Sequence, residues 1–447
     1  MYRVLNPANW RGALAVMFVA ALPLDPALAQ SGDSTSRRLT LGQVYQWAMD
    51  AVPAVEAAMA RARAADNRVT AASRPEDPMV TLGLMNRELP RLGPMRPLNM
   101  TQLQVTQMFP LPGKLRLSGA IARETASALH ERARGRQLEI RAAAASAFFE
   151  LYVVDQSLAL THESEALWRD IREAARTMYG AGRGRLADVL RADVEIGRTH
   201  EAVIRLQAQH HQAISQLSAL LNRSIDTALV AAMPVLPDSV PVLEALLRES
   251  VDEHADLRSA RADLRAANDA TQLAQRELWP DVEVSLQYGQ RPGEVGMGTE
   301  RMASLMVGAR VPIFARSRQL RMREEALAMR QMANAELQTV TAETKQRVTV
   351  AHGELVQARR LLELYSTSLV PTAQAAREAA LTSYRAGGTE FMAVLDSHAA
   401  FIELRRSVTE AQVMEGRALA ELEALVGHDL IAPKGSVSKN SDPEAGR

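Results

Sequence analysis

Between Pro112 and Pro234 the chain contains no proline, and from Leu115 to about Met178 it reads as one unbroken helix. At roughly 1.5 Å per residue, such a segment is a rod on the order of 100 Å long. No compact domain hides a rod of that length, so it must lie against partner helices as a bundle or coiled coil. What precedes it is equally restrictive. Leu98 to Phe109 alternates with period two, Leu103, Val105 and Phe109 on one face and Gln102, Gln104 and Thr106 on the other. Pro110-Leu111-Pro112-Gly113 then ends the strand and the helix begins.

The chain does this twice. The first repeat opens with an Ala- and Arg-rich helical segment, Leu41 to Ser73, with Pro53 near its start. A strand at Met79–Met85, a Pro/Gly-rich loop at Asn86–Asn99 and the strand ending at Phe109 follow. The long helix breaks at Tyr179-Gly180-Ala181-Gly182-Arg183-Gly184, and another helix runs from about Leu186 to Leu221. With a shift of 202 residues, Val80, Leu82 and Leu84 lie over Val282, Val284 and Leu286, and Pro110-Leu111 over Pro312-Ile313. With a shift of 205, Tyr179, Ala181, Gly182, Val189 and Leu190 match Tyr384, Ala386, Gly387, Val394 and Leu395. The expected organisation is a first repeat at 30–233, a Pro-containing linker at 234–242 and a second repeat at 243–430. In the repeats, hairpins at about 79–109 and 281–311 join long helices at 113–178 and 186–221, then 316–383 and 391–426. Residues 431–447 read as a disordered polar tail. Pro371, inside the second long helix, predicts a bend.

Residues 1–29 read as a secretory signal: Arg3 and Arg11, an apolar run from Ala13 to Leu24, and Ala27-Leu28-Ala29 before Gln30. Pro23, Asp25 and Pro26 cut that run below the roughly 20 residues a spanning helix needs. In an exported chain with no spanning helix, any membrane contact must be made another way. Its strands alternate aliphatic with polar or small residues over about nine to eleven positions, the length a tilted outer-membrane strand needs. A water-soluble sheet with one wet face carries the same alternation, but the long helices favour the membrane reading. Four strands cannot close a barrel, since the smallest need about eight, and lipid does not tolerate open edges. The chain must therefore pool strands and helices with copies of itself; a dimer gives a barrel too narrow for a channel, and a trimer gives twelve strands. A net charge of zero points away from nucleic acid, and the absence of cysteine removes disulfide and thiolate chemistry.

The duplicated plan, the Met108-Phe109-Pro110-Leu111-Pro112-Gly113-Lys114 junction and the paired Tyr-x-Ala-Gly turns resemble the TolC family of outer-membrane efflux proteins. The likeness covers the mature chain up to about Leu430. The junction and Asp77-Pro78-Met79-Val80-Thr81-Leu82-Gly83-Leu84 are most similar to the heavy-metal branch, the CusC- and CzcC-like exit ducts. The resemblance implies a mixed α and β membrane protein. Four transmembrane strands per chain would give a trimeric twelve-stranded barrel in the outer membrane of a Gram-negative cell, continued by a helical barrel in the periplasm. It implies a passive duct, not an enzyme, with no cofactor. Its partners would be a periplasmic adaptor, an inner-membrane pump of the resistance-nodulation-division type and outer-membrane lipid. The residues leave two rivals open: a drug or organic-solute duct of the same family, and a periplasmic coiled-coil adaptor with no membrane span.

By the same resemblance Gly182 and Gly387 are adaptor-contact turns, and Asp396 sits where a ring of carboxylates narrows the periplasmic mouth. Asp188 and Tyr384 match the closing network there; the family's arginine falls on Thr389, leaving Arg185 or Arg385 to substitute. If the aliphatic faces meet lipid, alternation puts Met79, Met85, Met100, Met108, Met302 and Met306 on the lumen side. Thioethers suit soft ions such as Cu(I) and Ag(I), whereas methionine also serves as adaptable packing. His210-His211 reads as a surface pair, since no histidines stand at i,i+4. Gly180-x-Gly182-x-Gly184 lacks the preceding strand and third glycine of a dinucleotide loop, and no nucleophile motif is present.

Overall fold

A computed structural model describes residues 38–50, 52–88, 93–94, 99–292 and 298–431. The expected signal segment and the polar tail beyond Ile431 lie outside the described residues.

Thr40 caps the first helix reciprocally. Its Oγ1 accepts from the Gln43 amide at 3.3 Å while its own amide donates to Gln43 Oε1 at 3.0 Å. The helical segment from 41 to 73 is divided into two helices, α1 (Leu41–Met49) and α2 (Pro53–Ala72). Pro53 forces the break, because the residue before a proline is pushed out of the helical region, and Val52 sits at φ −78°, ψ 120°. Proline is then tolerated as the first residue of α2. The second repeat breaks at the same place, between α5 (Leu243–Glu253) and α6 (Ala255–Arg276).

The long helices are α3 (Lys114–Gly180), α4 (Leu186–Leu220), α7 (Gln319–Leu364), α8 (Val370–Arg385) and α9 (Phe391–Val426). The bend expected at Pro371 takes the form of a π-turn, Tyr365–Leu369, inserted between α7 and α8. There the Val370 amide reaches back to Tyr365 O, and the hydroxyls of Ser366 and Thr367 bond carbonyls one turn earlier at 2.6 Å. The wider turn relieves the clash between the proline ring and the carbonyl four residues before it. α3 has no such interruption, so the two repeats differ here.

Four strands form one antiparallel sheet in the order β2 (Met79–Met85), β5 (Met100–Phe109), β7 (Asp281–Pro292) and β8 (Thr299–Arg310). In the loop read as irregular, β3 (Arg87–Glu88) pairs with β4 (Gly93–Pro94). A parallel pair the sequence did not announce, β1 (Arg38–Thr40) with β6 (Val230–Ala232), ties the start of the described chain to the end of the first repeat.

The sheet is inverted relative to a water-soluble one. Leu82, Leu305 and Val307 are each 69% exposed on one face. On the other, Ser285, Gln102 and Thr106 are 5%, 9% and 9% exposed. Thr106 and Ser285 share a hydroxyl bond at 3.0 Å, and Gln287 donates to Gln102. Polar groups are packed together and aliphatics point outward, the pattern of a sheet whose solvent is lipid.

The main core lies midway along α3 and near the C-terminal ends of α4 and α9. Phe148, Phe149 and Leu151 of α3, Ile214 and Leu217 of α4, Leu355 of α7 and Leu419, Leu422 and Leu425 of α9 meet α1 and β6 there. Buried Glu423 closes it: its oxygens accept from Tyr45 Oη at 2.9 Å, from Arg141 at 3.2 Å and from the amides of Leu430 and Ile431 at 2.7 and 2.6 Å. Among the described residues, no helix is long and apolar enough to cross a membrane.

Candidate functional site

Three places carry the functional candidates: the seam between sheet and helices, the polar face of the sheet, and the tips of the two helical hairpins.

At the seam, Gly113 adopts φ +97° and turns the chain from β5 into α3. The next residue, Lys114, is 3% exposed although it carries a charge. Its Nζ donates to Asp281 Oδ1 at 2.8 Å, Trp279 O at 3.2 Å and Glu277 Oε2 at 3.4 Å. Asp281 Oδ1 also accepts the Leu111 amide at 3.0 Å, and Arg276 donates to Pro112 O at 3.0 Å. The first repeat's strand-to-helix junction is thus clamped by the stretch entering β7 of the second.

On the sheet, the register gathers the six methionines onto one face. Met79 pairs across from Thr106 and Met85 from Met100; Met306 opposes Ser285, Met302 opposes Gly289, and Met108 opposes Glu283. Since successive residues alternate faces, all six share the face of Gln102, Gln104, Thr106, Ser285 and Gln287. Leu103, Val105 and Phe109 share the opposite face with Leu82, Val282 and Leu305.

The two tips are built alike. Gly182 and Gly387 have φ +72° and +78°, their amides return to Tyr179 O and Tyr384 O at 3.0 and 2.9 Å, and the residue after each bonds five residues back at 2.8 Å. These are left-handed helix caps that glycine enters without a Cβ penalty. Trp168, Ile171 and Ala175 of α3, Ala192 of α4, Tyr384 of α8 and Phe391 and Val394 of α9 form a separate small core behind them. Arg185 and Glu390, the residues preceding α4 and α9, pair across the two turns at 3.7 Å. Asp396 is exposed and, among the described residues, makes no ion pair. Asp188 has Arg191 as its ionic neighbour at 3.9 Å. Tyr384 is buried against Phe391 with ring centroids 5.9 Å apart, and its hydroxyl has no hydrogen-bond partner among the described residues. Burial, with the nearby charge of Asp188, pushes that phenol's pKa up. Within one chain Arg185 therefore serves Glu390 rather than the Asp188–Tyr384 pair.

Two histidines matter more than the sequence reading allowed. His398 is buried between α3 and α9, 2.7 Å from Ser164 Oγ and edge-on to Trp168 at 5.1 Å. Burial, aided by Arg377, pushes its pKa down to about 4. The signal was available, since Phe391, Val394, His398 and Phe401 make one helical stripe in which the histidine is the polar member. His211 is exposed as expected, but His210 is not a plain surface residue. It lies 3.2 Å from buried Asp155, whose other oxygen accepts the Ala231 amide at 2.7 Å and so holds β6. Among the described residues no cluster of histidine, aspartate and glutamate is arranged to hold a metal ion.

The outer membrane efflux protein profile matches residues 44–223 and 246–428, so that each half of the chain is matched separately. Among solved structures, the outer-membrane channel OprN superposes with a TM-score of 0.76 at 20% identity, covering 88% of this chain and 91% of OprN. VceC from Vibrio cholerae gives 0.73 at 18% identity, covering 87% and 96%, and CusC gives 0.73 at 15%, covering 91% and 97%. Protein CyaE of Bordetella pertussis is 27% identical over 174 residues, a match spanning 38% of this chain and 37% of CyaE. With the duplicated hairpins, the inverted sheet and both halves matched, the chain belongs to the outer membrane efflux protein family, the TolC family of passive outer-membrane channels.

Proposed function

We propose that the protein is the exit duct of a tripartite efflux assembly. It works as a homotrimer whose twelve strands close one barrel and whose helices continue that barrel as a tube through the periplasm. The observation that carries this is the inverted sheet, aliphatic outside and polar inside, with two open edges, β2 and β8. Lipid does not tolerate unpaired backbone at such edges, and three copies supply enough strands for a barrel with an aqueous interior. The duct does no chemistry. An inner-membrane pump of the resistance-nodulation-division type supplies the energy, reached through a periplasmic adaptor that meets the turns at Gly182 and Gly387.

At the mouth, three exposed copies of Asp396 around the axis draw cations in. Asp188 and Tyr384 form the closing contact: the buried hydroxyl, without a partner among the described residues, is the group a shift of α8 or a neighbouring protomer completes. The cargo is a heavy-metal cation, copper or silver, or cobalt, zinc or cadmium. Supporting this are the Met108–Lys114 junction, the likeness to CusC and six methionines on the polar face.

The test is a deletion strain. Loss of the gene should lower tolerance to these metals, and the intact gene should restore it. Loss of drug tolerance alone would replace the metal cargo with an organic one. Replacing the six methionines by leucine should lower copper or silver tolerance with the trimer intact, and unchanged tolerance would remove the metal path. In planar bilayers, Asp396→Asn should weaken cation selectivity, and an unaltered reversal potential would remove the mouth ring.

A further inference from the structure

The joint between the two repeats has a counterpart that a single chain leaves open. Within the chain, repeat meets repeat where β5 pairs with β7. There Lys114, just past β5, is buried by the stretch Glu277–Asp281 that enters β7. The two halves of a second such joint stand at the opposite edges of the sheet, β8 and β2. Past β8, Ile313 is 78% exposed, although it matches half-buried Leu111 of the first repeat. Arg316 and Arg318 beside it are exposed and make no ion pair among the described residues. Before β2, every residue from Ser73 to Val80 is exposed, and Glu76 and Asp77 likewise make no ion pair among the described residues.

The duplication tells which residues correspond. The shift of 202 that lays Pro110-Leu111 over Pro312-Ile313 puts Arg316 at the place of Lys114. It also lays Glu76 and Asp77 over Leu278 and Trp279, inside the stretch that clamps Lys114. The two hairpins differ in register by two residues, since Met79 faces Thr106 while its counterpart Asp281 faces Arg310 rather than Gly308. That offset brings either Asp77 to the place of Asp281 or Arg318 to the place of Lys114. In each case arginine stands on the β8 side and carboxylate on the β2 side. The strand faces agree as well. Carried over by the same shift, the β5–β7 register sets Ala309 and Val307 across from Leu82 and Leu84, aliphatic against aliphatic. The acidic stretch is already fixed to the foot of the sheet, because the Glu76 carbonyl accepts Gln107 Nε2 at 2.9 Å.

We propose that Arg316 and Arg318 of one protomer close on Glu76 and Asp77 of the neighbouring protomer, an intersubunit copy of the clamp that Lys114 makes within the chain. Opposite charges at matching heights fix the register in which one sheet edge meets the next, and like charges there would oppose a slipped one. Guanidinium forks suit carboxylates in a joint that stays partly wet, where a buried lysine serves the tighter joint inside the chain. The proposal rests on the trimer reading and adds to it the groups that fasten one subunit to the next at the seam.

The chain has no cysteine, so engineered pairs report the contact directly. In outer membranes, D77C/R316C or D77C/R318C should link neighbouring chains covalently on mild oxidation, whereas each single cysteine variant should not. In detergent, R316E/R318E should speed dissociation of the trimer roughly tenfold, and E76R/D77R should do the same. All four changes together should restore most of the lifetime. If a charge-reversed protein fails to assemble, recovery of the trimer in the fourfold variant supports the clamp and its absence overturns it. Arginines that instead held lipid phosphate would lose stability in R316E/R318E with no rescue by E76R/D77R, and that outcome overturns the clamp. A trimer that links at neither cysteine pair overturns it too and leaves the trimer reading standing. A chain that never forms a trimer removes both.

Discussion

Replacing Lys114 by methionine isolates the charge at the seam, because methionine keeps the buried apolar stem and removes the ammonium. The three N–H donors of Nζ meet three acceptors, Asp281 Oδ1, Trp279 O and Glu277 Oε2, at 2.8, 3.2 and 3.4 Å. Breaking a fully buried pair from one side costs about 3–5 kcal/mol, because the remaining charge is left desolvated. Here the partners are not fully buried: the Asp281 side chain is 19% exposed and that of Glu277 is 38%. Asp281 also keeps the Leu111 amide. The Glu277 contact is screened and adds little. The expected net cost is therefore about 2 kcal/mol, roughly a thirtyfold shift toward the opened seam. Hydrogen exchange on the trimer reads this directly, since the amides of Leu111, Lys114 and Leu117 all make hydrogen bonds within the clamp. Their protection should fall roughly thirtyfold in Lys114→Met while the hairpin tips are unaffected. Adding Asp281→Asn should recover part of the loss, because a neutral amide does not need the cation. Protection within threefold of the wild type would refute the clamp.

The remaining predictions concern the helices. His398 is neutral in the fold with its pKa pushed down to about 4 from 6.5, so protons bind the unfolded tip more readily than the folded one. The tip keeps its full stability above about pH 6.5 and loses up to roughly 3 kcal/mol as pH falls to about 4. Exchange at residues 384–401 across that window should reveal the slope, and His398→Gln should abolish it. Gly416→Ala places a methyl against the ring of fully buried Phe149, so α9 must part from α3. It should cost about 1–3 kcal/mol in thermal unfolding, with Phe149→Leu in the same chain restoring part of it. At Gly182 and Gly387 a Cβ meets nothing within 4 Å, so alanine there costs only the left-handed backbone strain, about 1–2 kcal/mol each. The two losses should be equal and additive, measured as tip protection; unequal values would mean the turns are not equivalent.

Much of the fold was legible because its signals are local. Alternation at Leu103–Phe109 and Val282–Tyr288 identified the strands and their two faces, and Gly182 and Gly387 marked turns that need positive φ. The duplication then ordered the elements without any structure. Where the helical segment 41–73 divides is local too, since Pro53 pushes the residue before it out of the helical region. The illegible parts depend on partners far apart in the chain. Nothing around Lys114 names Glu277 or Asp281, and nothing around His210 names Asp155. Tyr45 and Glu423 meet across 378 positions.

The sequence by itself determined that this chain makes two long hairpins of helix and two amphipathic hairpins of strand, since periodicity, proline and glycine act over a few residues. Only the tertiary structure decided which groups those elements bring together. It paired Lys114 with the second repeat, buried His398 beside Ser164 and folded Met100 across Gly289. Such contacts depend on how helices and strands from both halves pack in space, and periodicity fixes a residue's face without naming what lies opposite.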